Sequence, residues 1–169
     1  MDPGIVPTDE ALRALAADVA DCVQRQRLML VTAESCTGGW IAKTLTDLPG
    51  SSAWFDAGVV AYSYEAKEAL LGVNPRTLER IGAVSEETVL EMVAGALARF
   101  GSGVAVAVTG IAGPTGGTAD KPVGTVWIGW KRRGGYAHAQ LFQFGGDREA
   151  VRRQTVAAAL TGIQKTLTP

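Results

Sequence analysis

Two short runs without a single charge, Leu28–Thr32 and Gly103–Thr109, each lead into a turn dressed with hydroxyls and glycines. A run of this length with no polar face does not alternate between core and solvent, so it reads as a strand buried on both sides. Such strands belong to α/β sheets, where ligands bind beyond the carboxyl ends of the strands. The turn after the first run is Ala33-Glu34-Ser35-Cys36-Thr37-Gly38-Gly39; that after the second is Gly110-Ile111-Ala112-Gly113-Pro114-Thr115-Gly116-Gly117. Both turns are expected at one edge of one sheet.

The segments between these runs carry helical spacing. Leu12, Leu15, Ala16, Val19, Cys22 and Val23 form a stripe, with Thr8 as its N-cap. A helix is expected from about Thr37 to Leu48, closed by Pro49-Gly50, then a strand over Ala57–Tyr62 and short helices over Glu65–Leu71 and Pro75–Ile81. Ser85 caps a further helix with Glu86 and Glu87 in its first turn, where the helix dipole favours acids. Val123–Lys131 and Tyr136–Phe144 read as an antiparallel pair around Gly134-Gly135, and Asp147 caps a last helix. This order predicts a three-layer α/β/α sandwich, with a mixed, mainly parallel sheet and helices on both faces.

Composition narrows the functional classes. The chain has 169 residues, enough for one domain, and its 16 basic and 17 acidic residues nearly cancel. The basic run Lys131-Arg132-Arg133 precedes Gly134-Gly135 and reads as a solvated hairpin turn, so no nucleic-acid partner is expected. No apolar run approaches the roughly 20 residues that span a bilayer, and the Met-Asp-Pro-Gly start lacks the order of a signal peptide. Two cysteines, Cys22 and Cys36, make no disulfide framework, and a cytoplasmic location is expected. One histidine, His138, excludes a multi-histidine metal site.

Several residues can carry chemistry. Ser35 is a nucleophile only if a base activates it; Ser35 or Thr37 can equally serve as a helix cap. Cys36 is the rival nucleophile in the same turn. His138 lies mid-strand with Tyr136 and Gln140 on its face, which suits a half-exposed position better than a base. Lysine is then the alternative base, provided that desolvation or a neighbouring cation lowers its pKa. Lys43, Lys131 and Lys165 read as exposed, and Lys121 lies in a polar loop. Lys67 follows Tyr62-Ser63-Tyr64 from a strand end into a helix, which aims it at the same sheet edge as Ser35 or leaves it on a solvated face. The loop after Thr109 is an anion cradle or a plain turn; it matches neither a phosphate-binding Walker loop nor a dinucleotide fingerprint. Arg148 and Arg152, one helical turn apart, either hold a phosphate together or face solvent.

Taken together, these segments resemble the CinA carboxyl-terminal domain family, in particular its stand-alone nicotinamide-nucleotide amidases. The matching residues are Thr32 to Gly39, Gly58 to Lys67, Gly82-Ala83-Val84-Ser85, Thr109 to Pro114, Lys121 to Val126 and Phe144 to Arg148. The resemblance covers nearly the whole chain. It implies one amidohydrolase domain over residues 1–169, without the additional amino-terminal domain of larger family members. It implies hydrolysis of the carboxamide of nicotinamide mononucleotide to nicotinic acid mononucleotide and ammonia, with no metal or organic cofactor. A serine nucleophile and lysine base map onto Ser35 and Lys67, with Tyr62 and Thr109 in support. Backbone N–H groups of Cys36, Thr37 and Gly38 would receive the oxyanion. Gly38, Gly39 and Gly110 would allow close approach, and Arg148 and Arg152 would take the phosphate. A homo-oligomer, a dimer or higher, is also implied. The alternative is a catalytically silent nucleotide-binding or competence-related interaction module.

Overall fold

Capping residues set where most of the helices begin. The structure, a computed structural model, describes residues 5–168; the Met-Asp-Pro-Gly start, read above for its lack of a leader pattern, lies outside the described residues. Helix α1 (Asp9–Arg25) opens where the Thr8 hydroxyl accepts the Ala11 N–H at 3.1 Å. Strand β1 (Leu30–Glu34) follows, two residues later than its apolar run suggests, and leads to α2 (Trp40–Thr46). The expected start of α2 at Thr37 fails because Gly38 and Gly39 hold φ of +61° and +94°, which breaks the helical path.

Strand β2 (Phe55–Val60) is followed by α3 (Tyr64–Leu71), capped by the Ser63 hydroxyl, and by α4 (Pro75–Ile81), capped by Asn74. Helix α5 (Glu86–Phe100) begins at Ser85, whose hydroxyl accepts the Thr88 N–H at 3.2 Å. Strand β3 (Val104–Gly110), the hairpin of β4 (Thr125–Arg132) and β5 (His138–Gln143), and α6 (Arg148–Leu167) complete the chain. Asp147 caps α6 by accepting the Ala150 N–H at 2.9 Å.

The strands lie in the order β2-β1-β3-β4-β5. β1 pairs in parallel with β2 and β3, while β4 is antiparallel to both β3 and β5. Four strands therefore share one direction and β4 opposes them, in a mixed sheet. The chain leaves β1 toward β2 and returns past it to β3. That reversal makes the edge beyond the carboxyl ends of β1 and β3 the place where a sheet of this kind binds ligands.

Strand alternation sorts the core into two layers. Leu30, Val104, Val106, Val108, Val126, Ile128 and Trp130 pack under α1, α2 and α6. Val31, Ala33, Ala105 and Ala107 pack under α3, α4 and α5 with Leu71, Leu78, Val89, Met92 and Val93. The central strand β3 thus shows valines to one layer and alanines to the other, which lets α5 approach closely.

On the opposite side α6 packs tightly through Trp130. The indole Nε1 donates to the Ala159 carbonyl at 3.0 Å, and the ring lies so close to Gly162 that a Cβ there would sit 2.1 Å from Cε2. The ring cannot slide away without breaking its hydrogen bond. Gly162→Ala therefore lowers stability by about 2 kcal/mol, overpacking outweighing the helix-propensity gain. Gly145→Ala, whose Cβ would meet nothing within 4 Å, changes stability by less than about 0.5 kcal/mol. Urea unfolding midpoints at unchanged slope check both expectations.

Candidate active site

Strand β1 presents its side chains to alternate faces, and that alternation assigns the two polar residues at its end. Thr32 and Glu34 face the layer that holds α2. Ser35, one residue beyond the strand, is turned toward the layer that holds α3. Its backbone N–H donates to the Val108 carbonyl at 3.2 Å, which ties the turn to β3. Ser35 is 8% exposed, its Oγ meets Lys67, and the N-cap position of α2 falls on Gly39, so Ser35 does not cap α2.

The cap of α2 comes instead from the strand. Glu34 is fully buried, and its Oε1 accepts the Ile41 N–H at 2.8 Å and the Thr37 hydroxyl at 2.7 Å. Its Oε2 accepts the Ala42 N–H at 2.9 Å. Gly39 stands at the N-cap position and offers no side chain, so Glu34 satisfies the free N–H groups of the helix end. Burial raises the Glu34 pKa, and these donors partly offset the rise. Glu34 is a site residue that the motif contained but the sequence reading left without a role. The signal was a single acid closing a segment that is otherwise uncharged from Leu28.

Lys67 comes from the second turn of α3, beyond the end of β2. It is 1% exposed, not on a solvated face. Its Nζ lies 3.0 Å from Ser35 Oγ, 2.9 Å from the Ala61 carbonyl and 3.2 Å from the Tyr62 carbonyl. A neutral amine has two hydrogens and one lone pair. In that form the two carbonyls would take both hydrogens and the lone pair would face Ser35 Oγ. Desolvation lowers the Lys67 pKa, and the Cys36 sulfur opposes the shift only in part.

The rival nucleophile is quenched in the same turn. Cys36 is buried, and burial pushes its thiol up to about 12. His138 lies exposed on the edge strand β5, its ring stacked 5.3 Å from that of Trp130. A groove of about 660 Å³ runs between β5 and α6 beside it, but this groove contains none of the Ser35 turn. Of the remaining lysines, Lys43 pairs with Asp47 on the surface and Lys121 donates to the Ile81 carbonyl at 2.9 Å.

The other expected residues gather at the same edge with different tasks. Thr109 is buried at the end of β3, and its hydroxyl donates to the Ala83 carbonyl at 2.8 Å, holding the α4–α5 loop against the sheet. Gly110 is a packing glycine, since a Cβ would stand 2.8 Å from the Thr125 carbonyl. Tyr62 is 60% exposed at the mouth, and its hydroxyl lies 3.2 Å from Arg148 Nη2. Arg148 Nη1 also donates to the Gly113 carbonyl at 2.7 Å, linking α6 to the glycine loop.

Arg148 and Arg152 do not converge on one point. Arg152 donates from Nε to the Cys36 carbonyl at 3.1 Å and from Nη2 to the Thr37 carbonyl at 2.8 Å. Its guanidinium also lies 5.0 Å over the Trp40 ring, which Arg153 covers at the same distance. Within the turn, the Gly38 N–H is taken by the Ser35 carbonyl at 3.0 Å. Among the described residues no acceptor meets the N–H of Thr37.

Comparison with known proteins agrees with the geometry. The model of the CinA C-terminal domain matches residues 12–167. The nicotinamide-nucleotide amidohydrolase PncC of Enterobacter agglomerans is 50% identical over 153 residues, covering 90% of this chain and 93% of that protein. The protein of the same name from Pseudomonas putida is 51% identical, over 91% of this chain and 96% of its own length. The crystal structure of the competence/damage inducible protein CihA from Agrobacterium tumefaciens superposes with a TM-score of 0.90 at 44% identity, covering 98% of this chain and 99% of that one. With a serine-bearing turn, a buried lysine and a glycine loop at one sheet edge, and relatives alike over nearly their whole length, this chain belongs to the CinA C-terminal domain family.

Proposed function

We propose that this protein hydrolyses the carboxamide of nicotinamide mononucleotide, releasing ammonia and nicotinic acid mononucleotide. The observation that carries the reading is the 3.0 Å contact between a buried lysine amine and a serine hydroxyl. The amidohydrolases of this family that are half identical to the chain support the choice of substrate.

Ser35 Oγ attacks the carboxamide carbon while its proton passes to Lys67 Nζ. The carbonyl oxygen becomes an oxyanion and takes hydrogen bonds from backbone donors of the Cys36–Thr37 turn. The Gly38 N–H, already bonded to Ser35, is not among them. Collapse breaks the C–N bond, and Lys67 returns its proton to the departing ammonia. Water then adds to the acyl ester with Lys67 again as base, restoring Ser35 and giving the carboxylate. Arg148, at the exposed mouth beside Tyr62, is the cation placed to meet a phosphate. Thr109 holds the site's floor through Ala83.

A silent binding module would gain nothing from this arrangement. Sealing an amine away from water costs free energy, and that cost brings a base to a serine.

The experiment is ammonia release from nicotinamide mononucleotide by the purified protein. Ser35→Ala is expected to fall to background with its thermal midpoint nearly unchanged; full activity in a folded Ser35→Ala protein would sink the serine mechanism. The pH profile follows from the direction of the Lys67 shift. Only the neutral amine is a base, and its folded pKa lies below the ordinary 10.5. Activity therefore rises with pH along a limb whose midpoint is below 10.5 and falls away as protonation sets in on the acid side. A limb centred at or above 10.5 would contradict this. Iodoacetamide at about pH 8 is expected to modify Cys22 and leave Cys36 untouched, one adduct by intact mass, because a thiol near 12 presents almost no thiolate there.

A further inference from the structure

The two arginines of the first turns of α6 were expected to act alike, and their different contacts give Arg152 another task. We infer that Arg152 is a positioning residue for oxyanion stabilisation, acting through the Cys36–Thr37 peptide and not as a ligand of the substrate phosphate. This inference rests on the amidase reading given above.

The argument begins with the planarity of the peptide. Among the described residues the one cis bond is Gly113–Pro114, so the Cys36–Thr37 peptide is trans. In a trans peptide the carbonyl and the following N–H point in opposite directions. Arg152 Nε holds the Cys36 carbonyl at 3.1 Å, so the Thr37 N–H is aimed away from the guanidinium. The next carbonyl, of Thr37, is held by Nη2 at 2.8 Å, which removes the remaining freedom of the turn on that side. From the other side Glu34 Oε1 accepts the Thr37 hydroxyl at 2.7 Å. The turn is clamped between Glu34 and Arg152, and the Thr37 N–H meets no acceptor among the described residues.

Charge adds to orientation. A carbonyl bonded to a cation polarises its peptide, which makes the N–H of that peptide a stronger donor. The guanidinium is itself fixed, stacked 5.0 Å over Trp40 while its edge faces the two carbonyls. An arginine held on two carbonyls and a ring is already committed. Arg148 holds one carbonyl, that of Gly113, through Nη1 and reaches the exposed Tyr62 hydroxyl with Nη2, so it is less fully committed.

Arg152→Met and Arg152→Lys separate the two roles. Hydrolysis of nicotinamide mononucleotide and of nicotinamide riboside, which lacks the phosphate, is measured beside the rate of Ser35 labelling by a fluorophosphonate. In that labelling Ser35 Oγ bonds to phosphorus, fluoride leaves, its proton goes to Lys67, and the phosphoryl oxygen occupies the oxyanion position. Arg152→Met is expected to lower kcat on both substrates and the labelling rate together, by about 100-fold, with KM for the nucleotide within about twofold of wild type. Arg152→Lys keeps the charge but cannot fork onto two carbonyls, and it is expected to fall between wild type and Arg152→Met. Thermal midpoints identify a variant that fails to fold; if Arg152→Met does so, the Arg152→Lys comparison decides. A raised KM for the nucleotide alone, with riboside turnover and labelling unchanged, overturns the inference and makes Arg152 a phosphate ligand. Should the wild type release no ammonia yet label at Ser35, the amidase reading fails while the labelling ratio still decides the role of Arg152. A wild type that neither turns over nor labels overturns both.

Discussion

An amine 1% exposed, bonded to two carbonyls and a hydroxyl, is costly to bury, and much of the site follows from how it is accommodated. Lys67 reaches inward from α3 to two carbonyls of the segment Ala61-Tyr62 and to one hydroxyl. The carbonyls leave β2 just where the strand ends, so their positions are fixed by pairing with β1. Indeed the Ala61 N–H donates to the Glu34 carbonyl at 2.9 Å, one residue before Ser35. Lys67 and Ser35 are therefore referred to the same stretch of sheet. Water, which would otherwise solvate the ammonium, is kept out, and exclusion is what moves the lysine toward neutrality.

The same economy governs Glu34. A buried carboxylate is tolerable when each lone pair finds a donor, and here those donors are the N-terminus of α2 and the Thr37 hydroxyl. The helix in turn needs the carboxylate, because a glycine at its N-cap cannot bond the free N–H groups. Gly38 and Gly39, with φ of +61° and +94°, form the turn between Ser35 and α2. The missing cap and the buried acid are thus one arrangement, in which the strand supplies what the glycines cannot.

This explains which parts of the molecule the sequence made legible. Thr8, Ser85 and Asp147 cap helices by reaching three residues ahead, and such local bonds are readable from a short window. The start of α2 was not, because its cap sits five residues before Gly39 and the positive φ of two glycines intervenes. The segment holding Lys67 pointed to the right edge of the sheet, but the sealing of its amine depends on Ala61, Tyr62 and Ser35, the last of them distant in sequence. The spacing of Arg148 and Arg152 showed correctly that they share a helix face. Their destinations could not be read, since the first meets Gly113 and Tyr62 while the second meets Cys36 and Thr37. Thr109 likewise was placed at the site by its motif, whereas its bond to Ala83 joins two segments 26 residues apart.

The turn also offers a choice between two adjacent nucleophiles, and burial makes it. A thiol is intrinsically the better nucleophile, but only as thiolate. The environment that drives Lys67 toward its neutral form drives Cys36 toward its neutral form as well, since desolvation penalises either charge. For the lysine that change creates a base; for the cysteine it removes the reactive species. A serine loses nothing by it, because its hydroxyl is neutral beforehand and, in the proposed mechanism, would surrender its proton to an amine already in contact. Under the proposed mechanism, burial thus favours serine over cysteine through the same physical cause that would let lysine take the place of histidine.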